Sequence, residues 1–165
     1  MPITLPAVNF DQAKTVFGNA VRFVFTPDAG GSPLLFIAKV ANFQYKTSTT
    51  MRNVPGADGI SRPDRENIKE ASESFDLEEI EELDDVISKL GGFTPRPKKG
   101  TGVIWITDQD DPTGTSVRLK SDAFKCSIRV KDGSTKFGGG EYSKTSIHVQ
   151  SLKNDQITFT PNATS

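Results

Sequence analysis

Phe124-Lys125-Cys126-Ser127-Ile128-Arg129-Val130 sets an apolar side chain at every second position, with a polar or charged one between. An extended chain throws successive side chains to opposite faces, so this stretch predicts a strand with one face in a core and the other in water. The reading extends in both directions. Upstream, Val117 and Leu119 alternate with Ser116, Arg118 and Lys120, after a turn at Asp111-Pro-Thr-Gly114. Val103-Ile104-Trp105-Ile106-Thr107 is a continuous apolar run, suited to a strand covered on both faces. Downstream, Asp132-Gly133 marks a turn, Ile147 and Val149 a strand, and Ile157 and Phe159 a last short one.

Nearer the start, Val21, Phe23 and Phe25 share one face of a first strand, and Thr26-Pro-Asp-Ala-Gly-Gly-Ser-Pro33 is dense in turn formers. In the run 34–46 that follows, Leu34, Phe36, Ala38 and Val40 share one parity and Ala41, Phe43 and Tyr45 the other. A parity switch inside an extended run predicts a bend, as when a strand passes from one sheet to another. From 47 to 74 the apolar pattern nearly vanishes, leaving Met51, Val54 and Ile60 widely spaced among polar residues. A loop of that length is usually functional or disordered, so it is read as a free loop or as an arm that orders against a neighbour. Residues 77–90 predict a helix: Asp76 caps it, Glu79 completes a capping box, and Leu77, Ile80, Leu83, Ile87 and Leu90 form one stripe before Gly91-Gly92. The expectation is a mainly β fold with one α-helix. It would be a β-sandwich or partly closed barrel with the helix packed on it, in a single domain (1–165) with an N-terminal arm (1–19, with a short helical turn near 11–17) and a long polar loop or arm (47–74).

Composition narrows the function classes. The chain has 165 residues, 35% of them hydrophobic, and eleven Phe, enough for a core. No apolar run approaches a membrane span, and Met1-Pro-Ile-Thr-Leu-Pro6 has neither the basic nor the apolar part of a signal peptide. The one cysteine, Cys126, excludes an intramolecular disulfide and is read as a small core residue in a reducing compartment. The net charge of −1 hides an asymmetry: residues 66–85 hold ten acids and one base, residues 86–136 ten bases and five acids. Such blocks form solvated faces, and on one folded unit they suit head-to-tail pairing.

Catalytic equipment is not expected. The single histidine, His148, falls on the polar side of its strand with Ser146 and Gln150, as ordinary surface, and no nucleophile elbow or zinc spacing accompanies it. Gly138-Gly-Gly-Glu-Tyr-Ser-Lys144-Thr145 has part of a phosphate-loop pattern, but the strand after it lacks the helix such a loop must feed. Asp108-Gln-Asp-Asp-Pro-Thr-Gly114 lacks the spacing of a calcium loop. No cofactor or metal is therefore expected. Arg118 and Lys120 with Lys125, Arg129 and Lys131 make a candidate basic sheet face, without the interleaved aromatics of a nucleic-acid reader. That face suits an acidic neighbour better. Candidate assembly contacts are Met51, Arg52, Val54, Ile60 and Arg62 on the arm, these five bases, and Glu78 and Glu82.

The stretch Glu73-Ser-Phe-Asp-Leu-Glu-Glu-Ile-Glu-Glu-Leu-Asp-Asp-Val-Ile-Ser-Lys-Leu-Gly-Gly92 resembles one in tail tube proteins of long-tailed bacteriophages. The plan is also similar: an early hairpin, a long polar loop, this helix, then a β-rich half with a Lys131-Asp-Gly-Ser134 turn. The resemblance implies a structural virion subunit made in the host bacterial cytoplasm, forming hexameric rings that stack into a DNA conduit and contact other tail proteins. In that family the long loop and termini reach neighbouring subunits. Its lumen tends to be acidic, which implies that Lys125, Arg129 and Lys131 lie elsewhere or make contacts. The alternative reading is a β-sandwich binding or adaptor module for a carbohydrate or a protein, or another virion component.

Overall fold

In a computed structural model, residues 18–80, 83–92, 96–108, 117–131, 144–153 and 156–161 are described. The expected helical turn near 11–17, the turns at 111–114 and 132–133, and most of the glycine-rich stretch 138–145 lie outside them.

The alternating stretch is strand β7 (Phe124–Val130), and Phe124, Cys126, Ile128 and Val130 are all buried. It sits at the centre of an antiparallel sheet. On one side β7 pairs with β8 (Thr145–Ser151), β8 with β4 (Ser61–Ile80) and β4 with β3 (Val40–Pro55). On the other side it pairs with β5 (Lys98–Asp108), then β1 (Gly18–Pro27) and β2 (Leu34–Ala38). The order is β2-β1-β5-β7-β8-β4-β3. The first half of β5 pairs with β7, whereas its second half pairs with β6 (Val117–Ser121), to which β9 (Phe159–Pro161) adds.

This sheet folds over on itself without closing into a barrel. Phe23 on β1 meets Phe75 on β4 edge-on, ring centroids 5.5 Å apart, although three strands separate β1 from β4 in the hydrogen-bonded order. Phe124 packs against both rings, and Phe43 joins Phe75 at 4.9 Å. Each buried Phe contributes roughly 1.5–3 kcal/mol through lost water contact.

The parity switch falls at Lys39. Phe36 and Ala38 point inward on β2, Val40 is exposed, and Ala41 and Phe43 point inward again on β3. One continuous run thus pairs with β1 up to Ala38 and with β4 from Val40, and Lys39 N–H donates to the Glu78 carbonyl at 3.2 Å.

Two expectations change. The helix α1 spans only Leu83–Leu90, because β4 runs on to Ile80. Phe75 and Leu77 pair with Val149 and Ile147 of β8 and are fully buried, so tertiary pairing overrides the local helical pattern. Asp76 is therefore not a helix cap, and the register slips between Leu77 and Ile80, where Glu79 has φ 58°. The helix buries Val86 and exposes Ile87, so its stripe is not the one predicted. Its end is as expected: Gly91, at φ 80°, donates to the Ile87 carbonyl at 2.8 Å. The segment 47–74 is not an unpaired loop but the outer part of the β3–β4 hairpin, turned at 56–60. Its sequence hid the strands because every residue from Gln44 to Ser72 except Gly56 is exposed, leaving no buried face to impose alternation.

Gly100 lies on the inner side of β5 against β1, and a Cβ there would sit 2.7 Å from the Phe25 ring and collide with the Thr26 carbonyl. Gly100→Ala is expected to cost about 1–3 kcal/mol by overpacking. Chemical denaturation of the variant beside the wild type measures this, and an unchanged midpoint contradicts the close approach.

Candidate assembly surfaces

The β3–β4 hairpin leaves the core as a two-stranded arm. At 3.3–3.4 Å per residue, the nine residues 47–55 reach about 30 Å. Paired residues point to the same side, and Phe43↔Phe75 fixes which side is continuous with the core. Following the register outward, that side carries Tyr45↔Glu73, Thr47↔Ala71, Thr49↔Ile68 and Met51↔Glu66. The other side carries Lys46↔Ser72, Ser48↔Glu70, Thr50↔Asn67, Arg52↔Arg65 and Val54↔Arg62. The arm is thus two-sided: Tyr45, Ile68 and Met51 share one side with the acids Glu66 and Glu73, and the other side carries Lys46, Arg52, Arg62, Arg65 and Glu70. Register shifts between Ser48 and Thr49 and between Arg52 and Asn53 each set one extra residue of β4, Lys69 and Asp64, into the ladder.

Of the predicted arm residues, Arg62 is committed to the turn: it makes an ion pair with Asp58 at 2.6 Å, which holds the Asp58 carboxyl down at about 2. Ile60 is exposed beside it, its N–H bonded to Asp58 at 3.0 Å. Arg52 faces Arg65 directly across the strands. Opposite like charges cost some stability unless something neutralises them.

The five bases do not form one face. Strands β6 and β7 follow each other along the same edge of β5, so their side chains are not neighbours across a ladder. Lys120 lies over the Trp105 ring at 5.5 Å, and Lys125 pairs with Asp28 at 2.9 Å. Arg129 donates to the Val130 carbonyl. Lys131 holds both Asp76, at 2.9 Å, and Glu78, at 3.2 Å. Lys144 pairs with Glu79 at 3.1 Å. Part of the acidic block therefore meets its opposite charge within the chain. Glu82 lies outside the described residues, and Arg118, although part of β6, does not join Lys131 or Arg129.

Sequence reasoning missed Asp76, which is 2% exposed on the outer side of β4. His148 stands opposite it on β8, Nδ1 2.7 Å from its carboxylate, so His148 is half-buried and paired rather than plain surface. Burial alone would push the Asp76 carboxyl up, but hydrogen bonds from Lys131 and His148 outweigh it, and the carboxyl titrates below its ordinary value. The missed signal was Phe75-Asp76-Leu77, whose alternation suits a strand as well as a helix start.

The run at 103–107 is also corrected. Ile104 is buried, but Val103 and Trp105 point outward and are only half-covered, so β5 is not enclosed on both faces. Cys126 is fully buried, and burial, with help from Asp28, pushes its thiol up to about 12. Among the described residues no cluster of three or more His, Cys, Asp or Glu is placed to hold a metal, and no helix is long and apolar enough to cross a membrane.

No protein-family model matches this sequence, and no curated protein sequence does. Two solved structures are similar in outline. A chain of the anti-feeding prophage baseplate is 10% identical, with 96% of this chain and 98% of that chain covered at a TM-score of 0.40. A chain of the sheath-tube complex of an extracellular contractile injection system is 14% identical, with 90% and 93% covered at a TM-score of 0.43. Likeness this loose transfers neither function nor partners.

Because Asp76 titrates low when folded, its bonds stabilise the protein above the ordinary carboxylate range and are lost as pH falls through the folded value. Asp76→Asn is expected to cost about 1–3 kcal/mol at neutral pH. The gap to the wild type should shrink as the pH drops below about 4. Urea titrations across that window test this, and a gap independent of pH refutes it.

Proposed function

We propose that this chain is a structural virion subunit that associates with copies of itself, and specifically the tail tube subunit of a long-tailed phage, forming stacked rings around a channel for DNA. The observation that carries this reading is the arm. An isolated two-stranded hairpin is marginal in water. This one is long, bare on both sides, and keeps Tyr45, Met51 and Ile68 uncovered. A surface of that kind gains stability by packing on another molecule. Among the described strands β3 ends the sheet, and its outer edge is suited to strand addition.

Such a role needs contact geometry and no chemistry, in keeping with the resemblance of residues 73–92 to tube proteins. A head-to-tail contact, arm to body, closes into rings or continues into fibres according to its rotation. Rings of six and further tail proteins as partners belong to this proposal.

Negative-stain microscopy and sedimentation of the concentrated protein are expected to show rings or tubes with a central channel. Replacing residues 49–69 with an Asn-Gly turn, which joins the partners Ser48 and Glu70, should leave a folded monomer, since that part of the hairpin contributes nothing to the core. Monodisperse monomers of the full chain at every concentration would falsify the reading.

A further inference from the structure

The outer side of β2, β1 and β5 is unlike the rest of the sheet exterior. Beyond β7 the exterior is polar and internally bonded, through Asp76, His148, Lys131 and Gln150. On β2, β1 and β5, the register that turns Phe36, Phe23 and Ile104 inward turns Leu35, Ile37, Val24, Val103 and Trp105 outward. Leu35 and Ile37 are 42% and 39% exposed.

Arg22, Val24, Leu35, Trp105, Val117 and Lys120 line a cavity of about 290 Å³ on this side. That is just below the usual range for small-molecule sites, and it suits one or two inserted side chains better than a cofactor. Its floor is apolar. Among the described residues its charged lining side chains, Arg22 and Lys120, are both cations, and none is an acid.

The arm presents the converse. Its core-continuous side combines exposed Ile68 and Met51 with the carboxylate of Glu66, paired directly with Met51 across the strands. That side continues the inner wall of its own sheet, so it is turned the same way as the Trp105 exterior of the opposite layer, and two faces turned the same way do not meet within one copy. A second copy can bring the two together.

We propose that the Trp105 cavity receives the arm of another copy of this chain, Ile68 and Met51 entering the apolar floor while Glu66 sets its charge against Arg22 and Lys120. This names the acceptor surface for the self-association proposed above and rests on that reading. The contact is heterologous: each copy gives an arm and keeps its own cavity for the next, so the chain of contacts propagates.

Two experiments test it on the full-length chain. Ile68→Cys and Leu35→Cys proteins are mixed and mildly oxidised, the native Cys126 being buried and its thiol pushed up to about 12. The mixed disulfide is expected to exceed, by about tenfold, that formed when Thr50→Cys, on the opposite side of the arm, replaces Ile68→Cys. In parallel, Arg22→Glu with Lys120→Glu should raise the concentration needed for association by about tenfold or more. Adding Glu66→Arg to the same chain should restore it, while circular dichroism checks that all variants are folded. If the wild type assembles but the disulfide matches the Thr50 control, or the reversed charges assemble like wild type, the cavity is not the acceptor and the self-association reading stands. A wild type that remains monomeric overturns both.

Discussion

The edge-on contact of Phe23 with Phe75 joins two strands that the hydrogen-bond ladder keeps three strands apart. A single twisted sheet has two faces and no interior. It acquires an interior here because the β1 and β4 ends are drawn over each other around aromatic rings, with Phe124 from the central strand filling the fold. Other features follow from that closure. Gly100 must lack a side chain where β5 passes beneath Phe25 and the Thr26 carbonyl, and Ile147, Val149 and Ile128 become core. The exterior of β1 and β4 then faces opposite directions, which is why one carries Trp105 and Leu35 beside it and the other an Asp76–His148 pair.

Strands with one buried face were legible from residues alone. β7 declares itself by Phe124, Cys126, Ile128 and Val130, and the break at Lys39 is visible as a change of parity between Ala38 and Ala41. Elements whose neighbours decide their state were not. Residues 76–80 carry good helical spacing and acids suited to a first turn, yet Phe75 and Leu77 gain more by pairing with β8. The arm was invisible as strand because hydrophobic alternation records burial, and it has none to record. Its candidate residues divide accordingly: Met51 lies on the core-continuous side, Arg52 and Val54 on the other, and Arg62 belongs to the turn.

Charge was easier to count than to place. The acidic and basic blocks look like two patches in the sequence, but the fold sets Glu78 and Glu79 beside Lys131 and Lys144. Exposed pairs of this kind contribute little, roughly 0–1 kcal/mol each. Their larger effect is to cancel the long-range field that the linear blocks suggest. Among the described residues, two arginines stay face to face on the arm, and two cations stand around Trp105.

The passage of the chain through Lys39 has a mechanical side. The strand that forms one edge of the arm is covalently continuous with β2, the strand carrying Leu35 and Ile37. Tension applied to β3 along its axis loads the β3–β4 ladder in shear, where many hydrogen bonds resist together rather than opening one by one. The same tension runs through Lys39 into β2 and the wall behind Trp105, so a pull at the tip of the hairpin is felt across the body by way of one unbroken backbone.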